Sequence, residues 1–434
     1  MTEKFLHYLW RMKLLKNNIL QTESGEKIQI IAAGELNTNA GPDFLNGRIK
    51  IGETLWAGNI EIHLKSSDWS AHGHQHDRAY DNIVLHVVYE NDRPVCREDG
   101  SSIPCLVVKN YFDSSIYEKY QLLMQSSTWI PCEQHIHKSP AIIVQQWLNR
   151  LLIERMEEKI QPILSALQEN QNNWEETFYQ FLAMSYGARV NAEPFQRLAR
   201  AIPVKVLAKH KNNLFQLEAL LFGTAGFLDE KFTDDYPNEL KKEFSFLRKK
   251  YGLQSLKKHT WKFLRLRPAN FPSIRLAQFA QLIFKASHLF SKILEAGNVN
   301  HFTLLFESTA SSYWNNHYRF DHSSADRKKS LGSASAELLL INTIAPFLFV
   351  YGKSRDENIY CERAFTILEQ LSAENNTILK NWKELGIKAH TAFESQALLQ
   401  LHNSYCKNFR CLDCAIGHQL LIQKGLAGVP EQQV

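Results

Sequence analysis

Residues 54–65 read Thr-Leu-Trp-Ala-Gly-Asn-Ile-Glu-Ile-His-Leu-Lys, and the last six alternate in character. In an extended strand Ile60, Ile62 and Leu64 share one face while Glu61, His63 and Lys65 share the other. That period of two predicts a strand with one face in a core and an acid, an imidazole and an amine on the opposite face. Upstream, KIQIIAA (27–33) and GPDFLNGRIKIG (41–52) are also strand-like, with turns at Gly41-Pro42 and Gly52-Glu53. Downstream, a histidine-rich link leads to NIVLHVVYE (82–90), whose nearly unbroken apolar run predicts a strand covered on both faces. VCREDG and SIPCLVVK, joined at Asp99-Gly100, predict a further strand pair. The first residues, about 3–16, predict an amphipathic helix rather than a signal peptide, which needs a basic stub before an unbroken apolar core.

From about residue 138 the period changes to 3.6. AIIVQQWLNRLLIERMEEKIQPILSAL, ETFYQFLAMSY, LFQLEALLFG, SIRLAQFAQLIFKASHLFSKIL and ELLLINTIAPFLFVYG predict helices broken by Pro or Gly, with a polar loop at 320–336. The expected class is α+β: a small α/β domain over 1–137 and a larger all-α region over 138–434. The length of 434 residues accommodates two to four units of roughly 100–200 residues. With 44% hydrophobic and 22% charged residues, collagen-like and largely disordered chains are excluded. No unbroken apolar run approaches the ~18 residues that span a bilayer, so no membrane association is expected. Seven cysteines, an odd number, argue against a disulfide framework and for a reducing cytoplasm. The absence of a phosphate loop, a dinucleotide fingerprint and a G-x-S-x-G turn removes support for ATP, NAD and serine-hydrolase chemistry.

The net charge of +5 is unevenly spread. Residues 1–110 hold 12 Lys+Arg against 14 Asp+Glu, which leaves 38 against 31 for the rest. Residues 241–290 carry 12 basic residues and one acid, Glu243, with Phe244, Phe246, Tyr251, Trp261, Phe263 and Phe271 interleaved. Such a stretch can neutralise phosphates while its aromatics stack on bases or pack a core; a solvated helical face has the same composition. Nucleic acid is the expected partner.

The strand before Glu61 opens with Pro42-Asp43, and strands joined by a short turn usually pair, so Asp43 is expected beside Glu61. Two converging carboxylates repel unless a cation lies between them, and Mg²⁺ (or Mn²⁺) is the natural occupant. His63 or Lys65 alongside would position or deprotonate a water. The everyday alternative is a Glu–Lys pair across an exposed sheet face.

An Asp after Pro42, an acid and a basic residue on the third strand, then a helix and a buried strand, resembles the PD-(D/E)XK nuclease superfamily. Its α-β-β-β-α-β core order matches the reading of residues 3–90. The resemblance implies a restriction-endonuclease-like fold, Asp43 and Glu61 as Mg²⁺ ligands, and a lysine for the nucleophilic water. This chain departs there: His63 stands at the lysine position, and Lys65 is the nearest lysine on that face. His76 and Tyr80, four apart on the following helix, resemble a Gln–Tyr pair of some exonuclease members and are expected to contact substrate. Over most of its length, including GPDF, GNIEIHLKSSDW and CLDC, the chain also resembles a family of uncharacterised bacterial proteins known only as a domain of unknown function. The expected function is Mg²⁺-dependent hydrolysis of nucleic-acid phosphodiesters; the alternative is a degenerate nuclease core kept for nucleic-acid binding or as a scaffold.

Residues 66–77, SSDWSAHGHQHD, admit another metal reading through His72, His74 and His76. H-x-H-x-H-D is similar to the H-x-H-x-D-H signature of metallo-β-lactamase-like hydrolases, with its last two residues exchanged. Otherwise Asp68 caps a helix and the histidines face the cleft of Glu61, while His86 is a core histidine. Near the C-terminus, Cys406, Cys411 and Cys414 have C-x4-C-x2-C spacing, and His418 follows. These predict a Zn²⁺ site with His418 as fourth ligand and Cys361 in reserve, or an iron–sulfur cluster. Cys96, Cys105 and Cys132 show no such spacing and are expected to be inert. Arg189, Lys262, Arg267 and Arg275, near aromatic residues, are candidate phosphate contacts.

Overall fold

The computed structural model describes residues 1–16, 18–286, 288–296 and 299–423. They form two compact units: Met1–Trp147 together with the chain from His402 onward, and Leu148–Leu401. The domain boundary expected at 137/138 falls ten residues before the division, and the C-terminal segment joins the N-terminal unit.

The N-terminal unit opens with helix α1, Glu3–Arg11. Thr2 caps it by accepting from the Phe5 amide, and Phe5, Leu6, Tyr8, Leu9 and Trp10 are buried. The strands follow as β1 (Ile28–Ala32), β2 (Glu35–Leu36), β3 (Phe44–Ile51), β4 (Thr54–Lys65), β5 (Ile83–Glu90) and β6 (Cys105–Val107). Their order in the sheet is β1-β3-β4-β5-β6, with the two-residue β2 also on β3. β1/β3 and β3/β4 are antiparallel, whereas β4/β5 and β5/β6 are parallel. The β4–β5 crossover contains helix α2 (Asp68–Ala71) and two 3-10 turns, His74–His76 and Arg78–Tyr80.

β5 is interior to the sheet and its residues Ile83–Val88 are all buried, as its apolar run requires. The strand pair expected around Asp99-Gly100 is reduced to one bridge, Cys96 to Ser102. Pro94 and Pro104 bracket that segment and cannot donate to a ladder, and the chain beyond Pro104 pairs in parallel with β5 instead.

The second unit is helical apart from a small hairpin, His317–Arg319 with His322–Ser323, at the start of the expected polar loop. Its core forms around the apolar helix Leu214–Thr224, against which Asp235–Tyr251 and Pro272–Lys285 pack. Gly223 permits one of these approaches, since a Cβ there would lie 2.1 Å from the Phe244 ring. ELLLINTIAPFLFVYG lies in a continuous helical stretch, Ser333–Arg355, passing through a π-turn at Leu340–Ile344 just before Pro346. By length and composition this stretch is long and apolar enough to cross a membrane, which separate apolar runs in the sequence did not suggest. With 67% of its most apolar window buried, it is a core helix.

Candidate metal centre

β3 pairs with β4 so that Phe44 faces Ile60, which sets Asp43 beside Glu61. Each carboxylate uses one oxygen to hold the other's backbone. Asp43 Oδ2 accepts from the Ile62 amide (2.9 Å), and Glu61 Oε2 accepts from the Asp43 amide (3.1 Å). This reciprocal clamp keeps the two side chains together although like charges repel.

Three more elements converge on the pair. From α1, His7 Nε2 lies 3.2 Å from Asp43 Oδ2. Glu3, one turn earlier on the same helix face, is close enough for the charges of Asp43 and Glu61 to act on it. From the β4–β5 crossover, His74 Nε2 lies 3.3 Å from Glu61 Oε1. On β4 itself, His63 Nε2 is 3.4 Å from the same oxygen and 3.2 Å from His72 Nδ1. The donor nitrogens of His63, His72 and His74 all lie within 4.8 Å of one another. Trp69 packs edge-on against His74, while Tyr80 stacks on the His74 ring at 3.8 Å.

The electrostatics follow from this crowding. Burial raises the pKa of Glu61, and Asp43 adds to the rise while His74 opposes it. Glu3 is raised first by burial and then by Asp43. For His7, burial works against the charge, but the hydrogen bond and charge of Asp43 outweigh it and raise the pKa. Burial and the neighbouring histidines hold His63 down at about 3, so it is a neutral imidazole. His86, buried on β5, is held at about 4, and its Nε2 meets His63 Nδ1 at 2.9 Å. His86 Nδ1 is buried without a partner. An unpaired acceptor is less costly than an unpaired N–H, so hydrogen-bond satisfaction assigns the His86 proton to Nε2, donated to His63. His63 then carries its proton on Nε2, toward Glu61 and His72.

The donor set fits a divalent cation. His7 Nε2 and His74 Nε2 are buried, and each lies against a carboxylate oxygen, Asp43 Oδ2 at 3.2 Å and Glu61 Oε1 at 3.3 Å. Buried imidazole nitrogens converging on two clamped carboxylates are the donor types that hold a first-row divalent cation. Asp43, Glu61, His7 and His74 are the residues that would hold it, with His72 at the rim.

The other expected residues are placed as follows. Lys65 is exposed at the end of β4, and Asp68 accepts from its amide. Asp68 opens α2 rather than preceding it. His76 is exposed, and it is His74, not His76, that stacks on buried Tyr80. His418 turns to α1, its Nδ1 2.9 Å from the Tyr8 hydroxyl. Cys361 belongs to the other unit, where its thiol donates to the Phe349 carbonyl. In the helical unit Arg189, Lys262 and Arg267 are exposed, and the Lys262 backbone is pinned by Asn191 in both directions. Arg275 is committed to Asn270, Gln278 and Ser335. Of the interleaved aromatics, Phe244 and Trp261 are core, while Arg319 covers Phe263 and Phe271. Phe246 remains exposed.

His7 was missed because nothing in the spacing links it to residues 36 and 54 positions downstream. The available signal was Glu3 and His7 at i, i+4 on a helix whose other faces are apolar.

No curated protein and no solved structure matches the chain, whereas one family model matches residues 3–377.

Proposed function

The chain belongs to the family described as "Protein of unknown function (DUF2851)", and we propose that this member is a divalent-metal-dependent phosphodiesterase of the nuclease type. The observation that carries the reading is the convergence of the buried His7 and His74 nitrogens on the clamped Asp43 and Glu61. A bound cation would supply Lewis acidity toward a phosphate oxygen and a more acidic water. Mixed imidazole and carboxylate donors favour Mn²⁺ or a similar first-row ion over Mg²⁺, which prefers oxygen and water. Lys65, exposed on the same strand face, supplies the ammonium that His63, held neutral, does not. The resemblance to PD-(D/E)XK nucleases supports the same assignment of Asp43 and Glu61.

Nucleic acid is the proposed substrate class. The exposed Arg248, Lys249 and Lys250 end the helix Asp235–Tyr251. Lys250 also lines a cavity of about 630 Å³ with Arg200, Lys205 and Lys209. Four cations around one cavity suit a phosphate backbone.

The test is cleavage of DNA and RNA substrates with Mn²⁺ or Mg²⁺, beside Mn²⁺ binding measured directly. Wild type is expected to bind and cleave, and Asp43→Ala and Glu61→Ala to lose both. Cleavage that survives in both variants sinks the site. A second reading, a catalytically silent nucleic-acid-binding module, draws on the neutral His63 at the lysine position. Salt-sensitive binding without cleavage under any metal would select it.

A further inference from the structure

The N-terminal unit gathers a second set of soft donors. Cys132, Cys406, Cys411 and Cys414 are all buried and none is in a disulfide. Cys406 is within electrostatic reach of the other three, and Cys132 within reach of Cys411 and Cys414. They come together because two distant segments pack. Trp129 stacks on His402 at 4.8 Å, Trp147 meets Tyr405 edge-on at 5.3 Å, and the 3-10 turn Ile136–Lys138 rests on the helix Ala415–Ile422. Gly417 lets that helix close on the cysteine turn, because a Cβ there would lie 2.2 Å from the Cys411 carbonyl oxygen.

The surroundings suit thiolates rather than inert thiols. Cys414 precedes the helix Ala415–Ile422, and the Ile416 and Gly417 amides at that helix start favour charge on its sulfur. A neutral thiol is a weak acceptor, so such a position suits a thiolate. Four buried thiolates without a cation would repel one another strongly, and burial and mutual charge do hold the thiols protonated when no cation is present. Cys361 shows the contrasting case, a buried cysteine in the other unit whose thiol donates to a carbonyl.

We propose that Cys132, Cys406, Cys411 and Cys414 together bind one thiophilic metal centre, a zinc ion or an iron–sulfur cluster, which clamps the C-terminal segment and braces α1. Four sulfur donors select those centres over hard cations. The clamped segment touches α1 directly. Arg11 donates to the Leu412 carbonyl (2.9 Å) and pairs with Asp413 (3.0 Å), and Tyr8 bonds His418. Glu3 and His7 lie on the same short helix, so the thiolate centre positions two groups of the carboxylate site without touching it.

The experiment is elemental analysis and acid-labile sulfide on the full chain purified anaerobically, for wild type, Cys132→Ser, Cys411→Ser and Cys361→Ser. The expected result is one centre per chain in wild type and Cys361→Ser, and at least a tenfold loss in the other two. Zinc without sulfide identifies a single ion; iron with matching sulfide identifies a cluster. A wild type free of stoichiometric metal, or full content in Cys132→Ser, overturns the proposal. Should the serine variants fold poorly, alkylation of native wild type decides. The four cysteines are expected to gain reactivity when the metal is stripped, and unchanged reactivity overturns the site. Amide exchange over residues 3–11 is expected to quicken on stripping; unchanged exchange removes the bracing role.

Discussion

Glu61 and Glu218 are both buried carboxylates on regular elements, one in each unit, and burial raises the pKa of both. Their neighbours differ in kind. Glu218 Oε2 accepts from the Tyr236 hydroxyl (2.7 Å) and the Trp314 indole (3.3 Å), both neutral donors, while its Oε1 is buried without a hydrogen bond. Glu61 faces a second carboxylate and the titratable imidazoles of His63 and His74. Neutral donors let a carboxylate sit in a core as part of the packing. A second buried acid among imidazoles costs stability unless a cation offsets the crowded charge, and such cost concentrates at functional sites.

The comparison breaks most visibly in activity. Asp43→Ala or Glu61→Ala is expected to lower cleavage by about 10³-fold, roughly 4 kcal/mol. Glu218→Gln should leave the cleavage rate unchanged. Equal losses from Glu61 and Glu218 variants, with folding intact, would erase the distinction between them.

The next effect is on stability, where the β4–β5 histidines and Glu218 should contribute with opposite pH dependence. His63 and His86, held at about 3 and about 4, stay neutral in the folded unit while the unfolded chain takes up protons below about pH 6.5. A depressed histidine pKa therefore removes stability as pH falls, by about 1.4 kcal/mol per pH unit for each histidine between pH 6 and 5. Glu218 has a raised pKa, so its folded state is favoured below the unfolded carboxyl pKa and loses stability as pH rises through the folded value. Hydrogen exchange read separately over β4–β5 peptides and over Leu214–Thr224 checks both signs. Glu218→Gln sharpens the contrast, because it should flatten the rise in exchange of Leu214–Thr224 at higher pH. A steeper rise would contradict the neutral-donor account.

Much of this contrast could be read from the sequence where local pattern determines position. The alternation in IEIHLK put Glu61 and His63 on one face, and the short turn at Gly52-Glu53 paired the strand that Pro42-Asp43 opens so that Asp43 lies beside Glu61. The apolar run NIVLHVVYE placed β5 inside the sheet for the same reason. What stayed illegible depends on long-range packing. His7 reaches the site from a helix whose polar face could equally have met solvent, and Cys132 joins cysteines more than 270 positions away. His418 has ligand spacing but is used by Tyr8, and of the aromatics among the basic residues Phe244 and Trp261 are taken by the core. Spacing along a chain carries no information about which distant segment fills the next coordination position.

The smallest expected effect separates two histidines that alternate alike in sequence. Gly73, with φ near +76°, turns the chain into the 3-10 segment His74–His76, where successive side chains diverge by about a third of a turn. His74 is directed inward, onto Tyr80 and Glu61; His76, two residues on, is exposed. His76→Ala should therefore change neither metal stoichiometry nor, beyond about 0.5 kcal/mol, stability. His74→Ala should weaken Mn²⁺ binding by at least tenfold, since it removes the buried imidazole nitrogen beside Glu61. Direct Mn²⁺ titration of both variants measures the difference. Equal loss in the two would mean that exposed His76 contributes as much as His74, and that the inward placement of His74 does not decide metal binding.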